Sequence, residues 1–199
     1  MPELEETIQD QLERASNSRL NMWVALLVAI TATLMALSNV KVGNISQAMA
    51  QAQSNMVDYW GYYQAKGIKQ NIAQAQLDQF LLQKEMGTAA TPQAAAALDA
   101  RIEEYRTAAT RYESEKQELK QKAEAYKAEY EHLNFRDDQF DLADAGLSLA
   151  IALFGISALT QRHWLFVAAT VLASFGALFA ISGFLGLRLH SDFFAKLLG

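Results

Sequence analysis

Three stretches of the chain contain no formally charged residue and are otherwise rich in apolar ones: residues 20–40, 145–161 and 163–187. A hydrocarbon layer about 30 Å thick is crossed by roughly 20 apolar residues of α-helix, which rises about 1.5 Å per residue. Each stretch reaches or approaches that length. The pattern predicts an all-α integral membrane protein with three transmembrane helices. It leaves an acidic N-terminal tail at 1–19 and an interfacial C-terminal tail at 188–199.

The polarity of the chain is concentrated in residues 41–144, which hold 16 of the 22 acidic and 12 of the 17 basic residues. In the second half of this segment, apolar or aromatic residues recur at alternating steps of three and four, with Lys116 filling one position: Leu98, Ile102, Tyr105, Ala109, Tyr112, Leu119, Ala123, Tyr126, Tyr130 and Leu133. This spacing predicts a helix with a coiled-coil-like seam.

The first half of the segment has the same spacing from Val42 to Tyr63. After Tyr63 the pattern predicts a shift of about one residue, with the seam resuming at Ile68, Ile72 and Ala75. A shift of this size locally unwinds a supercoil without ending the helix.

Residues 87–92 predict a turn between the two halves. Gly87 suits a left-handed residue after a helix, Thr91 suits an N-cap and Pro92 suits the first turn of the next helix. The flanking arms, 41–86 and 93–141, contain 46 and 49 residues and so have nearly equal lengths. We therefore expect a long antiparallel helical hairpin between the first and second transmembrane helices. Its seam is rich in alanine and tyrosine, so further partners are expected, above all copies of the same chain in a homo-oligomer.

The densest aromatic cluster of the chain lies in the first half of this hairpin. The predicted oligomer or partner contacts are Tyr59, Trp60, Tyr62, Tyr63 and Lys66, together with Lys116 from the second half. Trp and Tyr supply large contact areas with a polar tip, which favours a docking surface. The alternative interpretation is local packing within the chain, including a cation–π contact between Lys116 and Tyr63.

Four carboxylates precede the second apolar stretch: Asp137, Asp138, Asp141 and Asp144. Such a group is a possible cation vestibule for a pore. It lacks the glycine turn and the ligand spacing of a calcium loop. The alternative interpretation is a solvated helix end.

Other chemistries find no support in the sequence. The chain has no cysteine, and it has no glycine-rich phosphate loop, zinc-ligand spacing or nucleophile elbow. His132, His163 and His190 stand apart from any ligand pattern. We therefore expect no enzymatic activity, no cofactor and no metal. The net charge of −5 argues against a nucleic-acid partner.

The orientation in the membrane is predicted from the shortest loop. Arg162 lies in the turn between the second and third apolar stretches, where the positive-inside rule is most reliable. This favours a cytoplasmic N-terminus and a hairpin on the opposite side, in the periplasm of a bacterial cell.

Two blocks of residues resemble a known family. Residues 58–70, Asp-Tyr-Trp-Gly-Tyr-Tyr-Gln-Ala-Lys-Gly-Ile-Lys-Gln, are similar to a recurring stretch with a Trp-x-Tyr-Tyr-Gln-Ala-Lys signature. Residues 140–143 and 159–164 resemble its second block. The family comprises uncharacterised bacterial three-span inner-membrane proteins and is catalogued as a domain of unknown function. The resemblance implies an N-terminal tail, one span, a helical insert and two closing spans, and it implies no activity or ligand.

Three functions are compatible with this organisation. The first is a non-enzymatic homo-oligomeric membrane scaffold or assembly protein, with hairpins that associate outside the lipid. The second is an oligomeric pore or ion channel. The third is an accessory subunit of a larger membrane complex, which adds another membrane protein to the expected partners.

Overall fold

The computed structural model describes residues 2–187, and it describes side chains from Arg19 onwards. The described chain forms three α-helices: α1 (Pro2–Glu85), α2 (Pro92–Thr160) and α3 (His163–Leu185), with no strand between residues 2 and 187. All three are long and apolar enough to cross a membrane. The predicted C-terminal tail at 188–199 and the side chains of most of the N-terminal tail lie outside the described residues.

Neither long helix breaks where its composition changes from apolar to polar. Helix α1 continues through Lys41 and α2 through Arg136, because both regions consist of helix-forming residues without proline. The chain divides into two compact units: residues 1–48 with 132–199, and residues 49–131.

The first unit is a three-helix arrangement built from part of α1, the end of α2 and α3. One buried cluster joins Leu20 and Val24 of α1 to Phe154 of α2 and Ala169 of α3. A second cluster is centred on Ala143, Phe179 and Ala180. Many large apolar side chains of these helices are nevertheless exposed, and only 17–33% of each candidate span is buried inside the protein. Helices with apolar surfaces on their outer side are expected where lipid, and not water, is the surrounding solvent.

The second unit consists of two packed helices, which we call the first arm (49–86) and the second arm (92–131). Lys84 binds Asp99 near the turn, Phe80 packs on Tyr105, and Tyr59 stacks on Tyr126 at the far end. These pairs establish that the arms run antiparallel. The predicted seam positions of the second arm, from Leu98 to Tyr130, are all buried or half-buried, Lys116 included.

The predicted shift of the seam after Tyr63 is wrong. The seam of the first arm continues without interruption through Lys66, Gln70, Ala73, Leu77 and Phe80, all buried or half-buried. Ile68 and Ile72, the residues expected to replace them, are 62% and 59% exposed. The physical reason is that Lys66 and Gln70 find polar partners on the second arm, so polar residues occupy the seam without a buried, unpaired charge.

The predicted turn chemistry is confirmed. Gly87 has a φ of 63° and follows the end of α1, as a left-handed C-terminal residue does. The Thr91 hydroxyl accepts a hydrogen bond of 3.1 Å from the Ala94 N–H, and α2 begins at Pro92. The turn is thus closed by its own residues.

Candidate functional site

The aromatic cluster of the first arm is divided between the inside and the outside of the second unit. Tyr59 stacks on Tyr126 of the second arm at 5.5 Å between ring centroids. Trp60 is half-buried and meets Tyr63 edge-on at 5.3 Å. Tyr62 contacts Tyr59 edge-on and remains 59% exposed. The cluster therefore contributes to packing between the two arms through Tyr59, and it leaves Tyr62 exposed on the surface.

Two lysines connect this cluster to the second arm. Lys66 forms an ion pair with Glu115, and its ammonium lies 5.3 Å from the centre of the Tyr112 ring. Lys116 lies 5.8 Å from the centre of the Tyr63 ring. The cation–π contact required by the local-packing interpretation is therefore present. This contact lies in the seam between the arms. Tyr62 is therefore the member of the cluster that remains exposed for a contact outside the chain.

Lys116 is the most enclosed charged side chain of this network, at 18% exposure. It donates hydrogen bonds of 2.7 Å to Gln70 Oε1 and 2.8 Å to a carboxylate oxygen of Glu113. The bond from Lys116 is the largest cause that lowers the pKa of Glu113 to about 2. The same pairing raises the pKa of Lys116. Likewise, the bond from Lys66 lowers the pKa of Glu115. These shifts favour the charged forms of Glu113, Glu115 and Lys116 at neutral pH.

An open groove of about 750 Å³ runs beside this network between the arms. Its lining combines ionised groups with small residues: Lys69, Ile72, Ala73, Ala100, Glu103, Glu104, Tyr105, Thr107, Ala108, Arg111 and Tyr112. Enclosed small-molecule sites bury most of their ligand among apolar side chains. This groove is open and lined by several charged residues, so it lacks such enclosure.

The four aspartates of α2 differ in their exposure. Asp138 and Asp141 are exposed, whereas Asp137 and Asp144 are partly buried. One carboxylate oxygen of Asp137 and one of Asp144 are buried without a hydrogen-bond partner among the described residues. Partial desolvation of the carboxyl group, followed by repulsion from neighbouring aspartates, raises the pKa of Asp137 and of Asp141, although Asp141 as a whole residue is exposed. No group of three or more acidic or histidine side chains in the described part of the chain is arranged to hold a metal ion.

The C-terminal end of α3 is capped by side chains of α2. Arg136 Nη2 donates a 3.0 Å hydrogen bond to Gly183 O, and Gln139 Nε2 donates one of 2.8 Å to Leu187 O. These carbonyls belong to the last turn of α3 and the residues after it, where no intrahelical partner is available. The guanidinium charge also complements the negative end of the helix dipole. This cap was not foreseen, because nothing in the sequence pairs residue 136 with residue 183.

A close crossing of α2 and α3 was also missed. A Cβ atom added to Gly176 would lie 2.9 Å from Ala143 O and 2.9 Å from Leu147 N. One added to Gly146 would lie 3.1 Å from Gly176 Cα. Small residues permit such approaches between helices in lipid. The two glycines form no repeat in the sequence by which this crossing could have been recognised.

These observations define a class: an all-α protein with three helices long and apolar enough to span a membrane and a long polar pair of helical arms. The chain belongs to the DUF4337 family, a domain of unknown function, whose family model matches residues 20–186. No curated protein and no solved structure matches the chain significantly.

Proposed function

We propose that this protein is a non-enzymatic, homo-oligomeric membrane scaffold of the bacterial inner membrane, whose helical arms associate with those of other copies. Its three apolar helices anchor it in lipid, and its arms carry the contacts. The surroundings of the anchor are lipid and, in an assembled complex, other membrane proteins.

The thin seam between the arms carries this proposal. Within residues 49–131 the buried apolar side chains are Ala52, Ala73, Leu77, Ile102, Ala109 and Ala123. Only two of these six are large. Burying a large aliphatic side chain stabilises a fold by about 1.5–3 kcal/mol, and burying an alanine contributes much less. A helix pair of this length with so little buried apolar surface gains stability from additional partners, and identical copies are the simplest source.

The aromatic cluster is the first surface to test. Tyr62 is 59% exposed and meets Tyr59 of its own arm edge-on, whereas Tyr126 is stacked on Tyr59 within the chain. We expect Trp60→Ala and Tyr62→Ala to lower the oligomeric mass of the full-length protein in detergent or native-like lipid. Tyr126→Ala serves as the matched control, since it disturbs packing within the chain and leaves the outward surface intact.

The mass is measured by light scattering or native mass spectrometry, with helicity as a check on folding. A monomeric wild-type protein would contradict the scaffold. An oligomer whose mass is unchanged by Trp60→Ala and by Tyr62→Ala would show that the aromatic cluster does not contribute to the oligomer interface.

A pore is the second candidate, and the buried, unpartnered oxygens of Asp137 and Asp144 are the observation that favours it. A vestibule of carboxylates attracts cations to the mouth of a channel. Planar-bilayer recording of the purified protein tests this function. Unitary currents that fall when Asp141 and Asp144 are replaced by Asn would support a pore, and silent bilayers would support the scaffold.

A further inference from the structure

The first arm has a second apolar face that the second arm leaves largely exposed, with Ile72 at the edge of the groove between the arms. Its large members are Val57, Ile68, Ile72, Leu82 and Met86, which are 60%, 62%, 59%, 56% and 69% exposed. Smaller exposed residues lie between them, and together they form what we call the apolar stripe: Val57, Gly61, Ala65, Ile68, Ile72, Ala75, Gln79, Leu82 and Met86. From Gly61 onwards its members recur at alternating steps of four and three.

This spacing keeps the apolar stripe on one side of the helix for about seven turns. At roughly 100° per residue, the stripe lies opposite the seam that runs through Lys66, Gln70, Ala73 and Leu77. The first arm therefore carries two heptad-like apolar faces, and the second arm covers only one of them. A helix with apolar residues on opposite sides is expected where it is packed from both sides.

The distribution of charge separates the two arms in the same way. Residues 49–86 include 6 charged side chains, whereas residues 93–131 include 16. The outer face of the second arm is therefore a solvated, charged surface with ion pairs along it, such as Arg101 with Glu104 and Arg106 with Glu103. The nearly neutral first arm would meet little repulsion from a copy of itself.

We infer that the apolar stripe is the face through which the first arms of two copies pair, in parallel and in register. Copies that share one orientation in a bilayer run in the same direction, so each stripe meets the same stripe. Ile68, Ile72, Leu82 and Met86 then pack against their counterparts. Gln79 is the single large polar member of the stripe. In the paired arms its side-chain amide forms a hydrogen bond with the Gln79 amide of the second copy, and a polar pair of this kind in a coiled-coil core fixes the register.

The size of the stripe suits this occupant. Each of the five large side chains leaves roughly 100 Å² exposed, so pairing two stripes removes on the order of 1,000 Å² or more, the lower range of specific interfaces. The inference rests on the proposed function and deepens it, because it assigns the homo-oligomer a surface distinct from the aromatic cluster.

The chain has no cysteine, so single cysteines report on this surface directly. Two full-length variants, Ile72→Cys and Gln74→Cys, are each reconstituted in liposomes and oxidised with copper phenanthroline. Gln74 is exposed, lies on the same arm two residues away and points away from the stripe. A disulfide requires Cα atoms within about 7 Å. Parallel, in-register pairing therefore predicts a covalent dimer for Ile72→Cys, formed about tenfold faster than for Gln74→Cys.

The outcomes distinguish this inference from the proposed function. An oligomer by mass in which both cysteines crosslink at equal rates, or neither does, overturns the inference and leaves the scaffold standing. A monomer overturns both. If the same oxidation in native membranes joins Ile72→Cys to a different protein, that protein and not a second copy covers the apolar stripe, and the inference is overturned. As a further check, Ile68→Gln with Leu82→Gln, in the Ile72→Cys protein, should suppress the covalent dimer while helicity is retained.

Discussion

Lys116 illustrates how a charged residue is accommodated in a helix seam. Its hydrogen bonds to Gln70 and Glu113 and its position over the Tyr63 ring replace most of the water that the ammonium would lose. Lys66 is accommodated in the same way, by an ion pair with Glu115 and a cation–π contact with Tyr112. These polar contacts align the arms at particular positions, which alanine-rich packing does less well.

The first prediction concerns the protonation of Glu113. Its pKa in the folded protein is lowered to about 2, so ionised Glu113 stabilises the fold above its ordinary pKa, and this contribution is lost as pH falls from about 4.5 to about 2. Lys116→Met removes the chief cause, and the pKa of Glu113 should return towards its ordinary value. Carbon-13 NMR titration of the carboxyl group in the full-length protein measures this.

Lys127→Met is the matched control for that titration, because Lys127 pairs with Glu131 at 3.7 Å and is well exposed. It should leave the midpoint of Glu113 unchanged. A Glu113 midpoint near 2 in the Lys116→Met protein would show that the bond is not the cause.

At the scale of elements, the first arm is defined by which of its two apolar faces meets the second arm. Leu77 is 7% exposed in the seam, and Leu82 is 56% exposed on the stripe. The sequence alone presents both faces as continuous patterns. Sequence reasoning moved from one pattern to the other after Tyr63, since Lys66 and Gln70 look unsuited to a seam until their cross-arm partners are known.

We expect Leu77→Ala to destabilise the full-length protein by about 2–4 kcal/mol, because it leaves a cavity between the arms. Leu82→Ala should cost less than about 1 kcal/mol in the monomer, where its side chain meets solvent. The free energy of unfolding is measured by loss of helicity at a protein concentration low enough to dissociate copies. A larger loss for Leu82→Ala than for Leu77→Ala would support the shifted register instead.

The crossing of α2 and α3 gives a second test at this scale. Gly176→Ala places a methyl group within 2.9 Å of backbone atoms of α2, so the helices must separate, at a cost of about 1–3 kcal/mol. Gly155→Ala is the control, because a Cβ there meets nothing within 4 Å. Resistance to unfolding in mixed detergent micelles compares the two. A Gly176→Ala protein as stable as Gly155→Ala would disprove the close crossing.

For the molecule as a whole, the outward-facing apolar side chains of the three helices are the main constraint on environment. Residues such as Leu37, Leu159, Trp164 and Val171 are between 57% and 87% exposed, which water does not favour over so large an area. Lipid would satisfy these surfaces, and in the proposed membrane protein the orientation of the chain would decide which side the arms occupy.

The positive-inside rule predicts the result of cysteine labelling. A membrane-impermeant maleimide added to cells with a permeabilised outer membrane should modify Glu104→Cys on the second arm. It should modify His163→Cys, at the start of α3 with Arg162 left in place, only after the inner membrane is opened. The reverse pattern would place the arms in the cytoplasm. Both positions are exposed, so accessibility in the folded chain is matched.

Much of this organisation followed from the sequence by itself. The three apolar stretches, the turn at Gly87–Pro92 and the heptad spacing of the second arm are local patterns, and local patterns are set by composition and by the helical period. They predicted three long helices and the contact between Lys116 and Tyr63. The cluster of aspartates was also visible, although its members differ in exposure and form no metal-binding group among the described residues.

Only the tertiary structure decided which apolar face of the first arm is covered, that Arg136 and Gln139 cap α3, and that Gly146 and Gly176 meet. Each depends on residues between 30 and 50 positions apart, and a single sequence contains no signal that couples such residues. Burial of Lys66 and Gln70 and exposure of Ile68 and Ile72 follow from the partners that the second arm supplies. The physical reason is that helical periodicity determines which residues share a face, whereas the neighbouring helix determines which face is buried.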